Sequence, residues 1–264
     1  MLELYHHGTS VCAAKPRIVL AEKSLEWTSH YIDILKGEQF TPEYLKLNPK
    51  GVVPTLIHDG KVIRESTLIG EYLDEVFPDP PMKPNNALDR HTMRMWTKRI
   101  DEEVFPATAI ITFAISHRHA VLANSPEMLD EYVNKLGPAE APQRRRRLET
   151  GIEDADAKAA LKVFHKFFAD METALARGPW LAGENFSLAE AGVTPFVNRL
   201  DMLELSGMWT EARPHLTGWW ERIKARPMFQ DSLFKYVPPP LRALMTAKGR
   251  EAWPTVRAIL GMSP

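Results

Sequence analysis

Residues 55–64 read Thr55-Leu56-Ile57-His58-Asp59-Gly60-Lys61-Val62-Ile63-Arg64, two short β-forming runs flanking Asp59-Gly60. A two-residue type I′ connection needs positive φ at both central positions, and Asp-Gly supplies it, so the stretch is expected to form a tight hairpin. Upstream, Leu2 to Tyr5 and Thr28 to Ile34 are further strand-like runs, spaced by a helical segment and loops. The first part of the chain is therefore mixed α and β.

The texture changes downstream. From about Leu88 the strand signals fade, and Arg90 to Thr112, Ala157 to Ala176 and Pro214 to Ala225 carry helical spacing. Between the two textures lies Phe77-Pro78-Asp79-Pro80-Pro81-Met82-Lys83-Pro84, whose prolines fix φ and cannot continue a helix. The expected domains are 1–80, α/β, and 88–264, all-helical. A second break, Leu136-Gly137-Pro138 to Pro142, precedes Arg144-Arg145-Arg146-Arg147. Four consecutive arginines on a helix point in nearly every direction, so they read as a solvated surface rather than a nucleic-acid site.

Bulk properties narrow the function. With 33 basic and 34 acidic side chains in 264 residues the formal net charge is -1, so no global field favours nucleic acid or an anionic membrane. One cysteine, Cys12, excludes an internal disulfide and any multi-cysteine metal site; no metal is expected. Met1 to Tyr5 lacks the basic flank and apolar stretch of a signal peptide, and no run is long enough to span a membrane. The expectation is a cytoplasmic protein with no membrane partner.

Chemistry concentrates in His6-His7-Gly8-Thr9-Ser10-Val11-Cys12-Ala13-Ala14-Lys15-Pro16-Arg17. Proline is free of penalty only in a helix's first turn, so Pro16 places the helix start near Cys12 or Ala13, with Cys12 at or beside the N-cap. A thiolate there faces unpaired N–H groups and the positive end of the helix dipole. Taken alone, Cys12 reads equally as a small apolar residue opening a helix, and Ser10 as an ordinary cap.

Two further segments give this stretch its context. Asn48-Pro49-Lys50-Gly51-Val52-Val53-Pro54-Thr55-Leu56 and, after the hairpin, Arg64-Glu65-Ser66-Thr67-Leu68-Ile69 resemble the glutathione transferase superfamily. That family carries an Asn-Pro-x-Gly-x-Val-Pro-x-Leu segment with a cis proline, and then a Glu-Ser turn into a helix. The resemblance implies a thioredoxin-like domain followed by a helical bundle domain, with glutathione as co-substrate.

By the same resemblance Val53, beside Pro54, pairs with the cysteinyl backbone of glutathione, while Glu65 and Ser66 take its γ-glutamyl group, a role that suits a carboxylate and a helix N-terminus. Gln39, with Lys36 in reserve, is placed on the glycyl carboxylate. Thr9 and Ser10 donate to the glutathione thiolate in a serine-type enzyme, whereas Cys12 forms a mixed disulfide in a cysteine-type thiol transferase or deglutathionylase. The spacing leaves that choice open. A homodimer is expected from the resemblance alone.

Trp180-Leu181-Ala182-Gly183-Glu184-Asn185-Phe186-Ser187-Leu188-Ala189-Glu190-Ala191 carries a capping box, Ser187 and Glu190, with Phe186 as a staple. It reads as a folding signal. Finally, Arg94 to Glu103 followed by Ser116-His117-Arg118-His119 is similar to the bacterial lignin β-etherases, glutathione-dependent enzymes that cleave aryl ethers. The implied second substrate is hydrophobic and aromatic, with Phe113 in its pocket and His117 or His119 beside the departing phenolate. A non-catalytic ligand-binding protein on the same fold is the alternative from another class.

Overall fold

The computed structural model describes residues 1–135 and 137–262. The chain opens with β1 (Leu2–His6), α1 (Val11–Glu22), β2 (Thr28–Tyr31), α2 (Pro42–Leu47), β3 (Thr55–His58), β4 (Lys61–Ile63) and α3 (Ser66–Val76). The sheet order is β2-β1-β3-β4. β1 runs parallel to β2 and antiparallel to β3, with Leu4 opposite Leu56. In the hairpin His58 pairs with Lys61, and Asp59 and Gly60 sit at φ 48° and 78°, the two positive values that a type I′ turn requires.

Helices follow: α4 (Ala87–Arg99), α5 (Phe105–Thr112), α6 (Arg118–Leu122), α7 (Pro126–Asn134), α8 (Ala141–Thr150), α9 (Ala155–Leu175), α10 (Leu188–Met202), α11 (Gly207–Thr210), α12 (Pro214–Lys224), α13 (Pro227–Ser232) and α14 (Pro239–Leu260). Ile100–Val104 and Phe113–His117 are π-type turns on either side of α5, a feature that often marks functional positions in long helices.

Contacts divide the chain into two compact units. One comprises Met1–Lys98, Ala174–Pro195 and Gly218–Pro238; the other comprises Arg99–Thr173, Phe196–Thr217 and the segment from Pro239. The first therefore recruits later segments in addition to the α/β region. Its α1 packs on α3 and on α13. The proline-rich stretch belongs to this unit and is tied to it: Lys23 Nζ, its side chain wholly buried, donates to the carbonyls of Phe77 (2.7 Å) and Pro80 (2.6 Å) and pairs with Asp74 (2.8 Å). In the second unit Phe164, Phe167, Phe168 and Trp209 form a buried aromatic centre. α14 closes on Leu203 so tightly that a Cβ at Gly249 would stand 1.8 Å from the Leu203 carbonyl oxygen.

Two expectations need correction. α1 begins at Val11, one residue before the earlier of the expected starts, Cys12 and Ala13, because Ser10 is its N-cap and accepts a bond from the Ala13 N–H (3.2 Å). Pro16 consequently lies beyond the first turn, inside the helix. The arginine run lies at the surface and is paired there: Arg145 with Asp130, Arg146 with Asp154 and Asp156, and Arg147 with Asp156, while Arg144 lies over the Tyr132 ring. In the preceding break, Gly137 has φ 97° and Leu136 lies outside the described residues. The capping box forms fully, with Glu190 accepting from the N–H and hydroxyl of Ser187 and from the Leu181 N–H. Phe186 meets Trp180 edge-on at 5.5 Å, a ring contact made before the helix begins. Among the described residues no helix is long and apolar enough to cross a membrane.

Candidate functional site

Three helix or strand entries meet in the first unit, and specific side chains hold them together. The first is the β1–α1 loop ending at Ser10. Its hydroxyl oxygen accepts from Ala13, leaving the hydroxyl proton to donate elsewhere, and Cys12 follows in the first turn, half-buried. Thr9 is half-buried beside it.

The second is the loop before β3, built around Asn48. The Asn48 Nδ2 group donates to the Val52 carbonyl (2.9 Å) and to Thr55 Oγ1 (3.1 Å), and Tyr44 Oη donates to the same carbonyl (2.7 Å). Gly51, at φ 61°, packs so closely on Phe40 that a Cβ would stand 2.8 Å from the ring. These contacts fix Val53, whose peptide to Pro54 is cis. Val53 is nearly fully buried, yet neither its N–H nor its C=O bonds to another described residue. A buried main-chain donor and acceptor left unspent in this way are suited to a peptide-like ligand.

The third is the start of α3. Glu65 adopts φ 66° and ψ 111° and caps the helix with no side-chain bond. Such a conformation costs a non-glycine residue on the order of 1–3 kcal/mol and concentrates at functional sites. The Glu65 carboxylate reaches outward to Lys50 Nζ (2.7 Å), and Ser66 opens the helix.

Ala13 of α1 packs with Val53 and Tyr44 in one buried cluster. Lys15, itself buried, donates from Nζ to Thr67 Oγ1 of α3 (2.6 Å). Lys50 ties the second loop to Glu65. Ser10, Cys12, Val53, Pro54, Glu65 and Ser66 are thus on three entries stitched to one another. Gln39 and Lys36 lie in the loop after β2. Gln39 Nε2 donates to the Ile34 carbonyl (3.3 Å), and its buried Oε1 has no partner among the described residues. Lys36 is exposed and pairs with Asp33 (3.2 Å).

Sequence reasoning missed Arg17. Its guanidinium is almost completely buried and meets no carboxylate among the described residues. Its Nε donates to the Ser232 carbonyl (2.8 Å), and its terminal nitrogens donate to the carbonyls of His7 (3.1 Å) and Gly8 (2.9 Å) and to His6 Nδ1 (3.2 Å). Since arginine only donates, His6 Nδ1 is the acceptor and its Nε2–H donates to Ser29 Oγ (2.8 Å). The Tyr236 ring covers Arg17 at 4.3 Å, and the Tyr236 carbonyl oxygen stands only 2.5 Å from where a Gly8 Cβ would be. Burial lowers the Arg17 pKa to about 10; burial, then Arg17 itself, lowers that of His6 to about 3. Arg17 thereby sets the loop that presents Thr9 and Ser10. The only prior signal was an arginine set among apolar helix positions.

The remaining predicted residues belong to the second unit. Phe113 is half-buried and stacks with Tyr132 (6.3 Å between ring centres). His117 ends the second π-type turn, and burial, then Arg199, lowers its pKa to about 4. His119 is lowered by partial burial, then by Arg118 and Lys248. Both imidazoles are neutral at pH 7, able to donate one hydrogen bond but carrying no charge. No group of His, Cys, Asp and Glu among the described residues could hold a metal ion.

Known proteins share the family and fold of this chain. Residues 9–76 match the family model of the glutathione S-transferase N-terminal domain, and residues 142–222 match that of the C-terminal domain. Protein LigF of Sphingobium sp. strain SYK-6 is 32% identical over 89% of this chain and 93% of its own length. The crystal structure of that β-etherase superposes with a TM-score of 0.74. The tetrachloro-p-hydroquinone reductive dehalogenase of Sphingobium chlorophenolicum is 29% identical over 87% of this chain and 94% of its own. The chain belongs to the glutathione S-transferase family, enzymes for which glutathione is the co-substrate.

Proposed function

We propose that this chain binds glutathione across the three stitched entries and transfers it to an apolar aromatic electrophile, with β-aryl ether cleavage as the reaction. The observation that carries the proposal is the unspent Val53 N–H and C=O beside a serine-capped helix start and the constrained Glu65-Ser66 turn. The cysteinyl backbone of glutathione pairs with Val53. Its γ-glutamyl carboxylate meets the Ser66 end of α3, and its ammonium displaces Lys50 from Glu65, an exchange of one exposed ion pair for another that costs little. Lys36 and Gln39 serve the glycyl end, Lys36 as a mobile cation.

Ser10 donates its free hydroxyl proton to the glutathione thiolate, and the N-terminus of α1 adds its partial positive charge. The thiolate attacks the carbon that bears the aryl ether oxygen. A carbon–sulfur bond forms, the carbon–oxygen bond breaks, and the phenolate leaves with the electron pair, to be protonated by solvent. No electrons are exchanged with an oxidant or reductant. Phe113 belongs to the acceptor pocket, where neutral His117 or His119 donates to the phenolate. Cys12 supports a second reading, thiol transfer through a mixed disulfide, because it is half-buried in the first turn of α1. The enzyme acts as a cytoplasmic homodimer without nucleic-acid or membrane partners.

The test is turnover of a β-aryl ether that releases a fluorescent phenol, with the glutathione thioether identified by mass spectrometry. Equimolar phenol and thioether are expected. Release of phenol without thioether, or no release in the presence of bound glutathione, overturns the etherase reading. Loss of activity in Cys12→Ala but not in Ser10→Ala transfers the chemistry to the cysteine.

A further inference from the structure

The second unit contains a cavity of about 240 Å³ lined by Ala109, Ile110, Phe113 and Ala114 of the α5 region together with Tyr132, Gln143 and Arg144 of α7 and α8. Most of its lining comes from residues after α6. A cavity of roughly 150 Å³ suffices for benzene, so this one has room for a single aromatic ring with a substituent. The Phe113 and Tyr132 rings lie nearly parallel, 8° apart, and both contribute apolar ring surface to the lining.

The charged groups around it are not equivalent. Asp154 is engaged by Arg146 (2.6 Å) and Thr150 (3.2 Å), and Arg147 and Gln143 both reach Asp156 (2.8 and 3.0 Å). Glu140 is exposed at the rim. Arg144 differs: it forms no ion pair with a described residue, its guanidinium lies 4.2 Å above Tyr132, and its Nε is buried with no hydrogen-bond partner among the described residues. A buried donor on a permanent cation is costly to leave unmade. A carboxylate is the complement for a guanidinium, through paired N–H donors.

We propose that this cavity is a binding site for a single-ring aromatic carboxylate, with the ring against Phe113 and Tyr132 and the carboxylate on Arg144. It shares Phe113 with the acceptor pocket proposed above but uses none of the residues assigned to glutathione, so benzoate binding and glutathione binding can fail independently.

The full chain is titrated by calorimetry with benzoate and, in parallel, with benzyl alcohol, a neutral molecule of similar size, both with and without saturating glutathione. Benzoate is expected to bind about tenfold more tightly than benzyl alcohol and to do so in either condition. Arg144→Gln should remove that preference. Ala109→Phe, at an exposed position that narrows the cavity without disturbing a buried core, should weaken both probes about tenfold. Equal affinity for the two probes, an unchanged preference in Arg144→Gln, or loss of benzoate binding when glutathione is present would each overturn the proposal.

Discussion

Arg17 and Arg144 are both arginines with buried donors, one in each compact unit, and they are satisfied in opposite ways. Arg17 directs its donors at the carbonyls of His7, Gly8 and Ser232 and at His6, so the chain itself completes its coordination. Arg144 retains a buried donor that no described residue takes up. A guanidinium completed by the fold is scaffold, whereas one left open is a receptor waiting for an anion. The same distinction separates Val52, whose carbonyl accepts from Tyr44 and Asn48, from Val53, whose main chain bonds to nothing described.

The sharpest way to break this comparison is Arg17→Met. It strands three carbonyls and His6 in a buried place, and removing one partner from such a cluster costs about 3–5 kcal/mol. For a chain of this size the melting temperature should fall by roughly 10 °C. An unchanged melting temperature would mean that Arg17 is not scaffold. Arg17→Lys, which keeps the charge but loses the fork, should lie between the two.

Ser10→Ala removes the donor aimed at the thiolate and should lower kcat/KM for conjugation about 100-fold, as loss of one preorganised donor does elsewhere. Loss of the cap should cost only about 1 kcal/mol of stability. Cys12→Ala should change conjugation less than threefold; a larger loss assigns the chemistry to the thiol. Steady-state kinetics with both variants decides between them.

Glu65→Gln tests the open side of the first unit. It should raise the KM for glutathione about tenfold with kcat unchanged, since the carboxylate holds the ligand's ammonium and takes no part in the transfer. A fall in kcat with unaltered KM would remove Glu65 from the binding role.

The smallest effect concerns pH. His6 and His117 have folded-state pKa values lowered to about 3 and about 4, against an ordinary value near 6.5. Below about pH 6.5 the unfolded chain takes up protons that the folded chain refuses, so stability falls as pH falls. Each group contributes at most about 1.4 kcal/mol per pH unit. Thermal melts between pH 7 and 4.5 should show a shallower decline for His117→Gln than for the parent chain; parallel declines would place His117 in solvent.

The sequence disclosed main-chain geometry better than side-chain chemistry. Asp59-Gly60 states its own turn, and Asn48, Gly51 and Pro54 are needed where a loop must be clamped and turned, so few other residues could stand there. Ser187 and Glu190 likewise declare a helix start. Pro16 misled because proline propensity places it in a first turn, yet the Ser10 cap fixes the helix start earlier. The Arg144–Arg147 run was read as surface because charge ordinarily means exposure, and Arg17 drew no reading of its own; only the fold shows that Arg17 is enclosed by carbonyls and that Arg145, Arg146 and Arg147 are matched to aspartates across α7 to α9. The Arg144 cavity was hidden for a related reason. Its wall joins residues far apart in sequence.

The central claim is that the three stitched entries of the first unit form one glutathione site. Isothermal titration of the chain with glutathione tests it most directly. One glutathione per chain is expected, with affinity reduced about tenfold in Glu65→Gln. Absence of binding, or binding indifferent to that substitution, would contradict it.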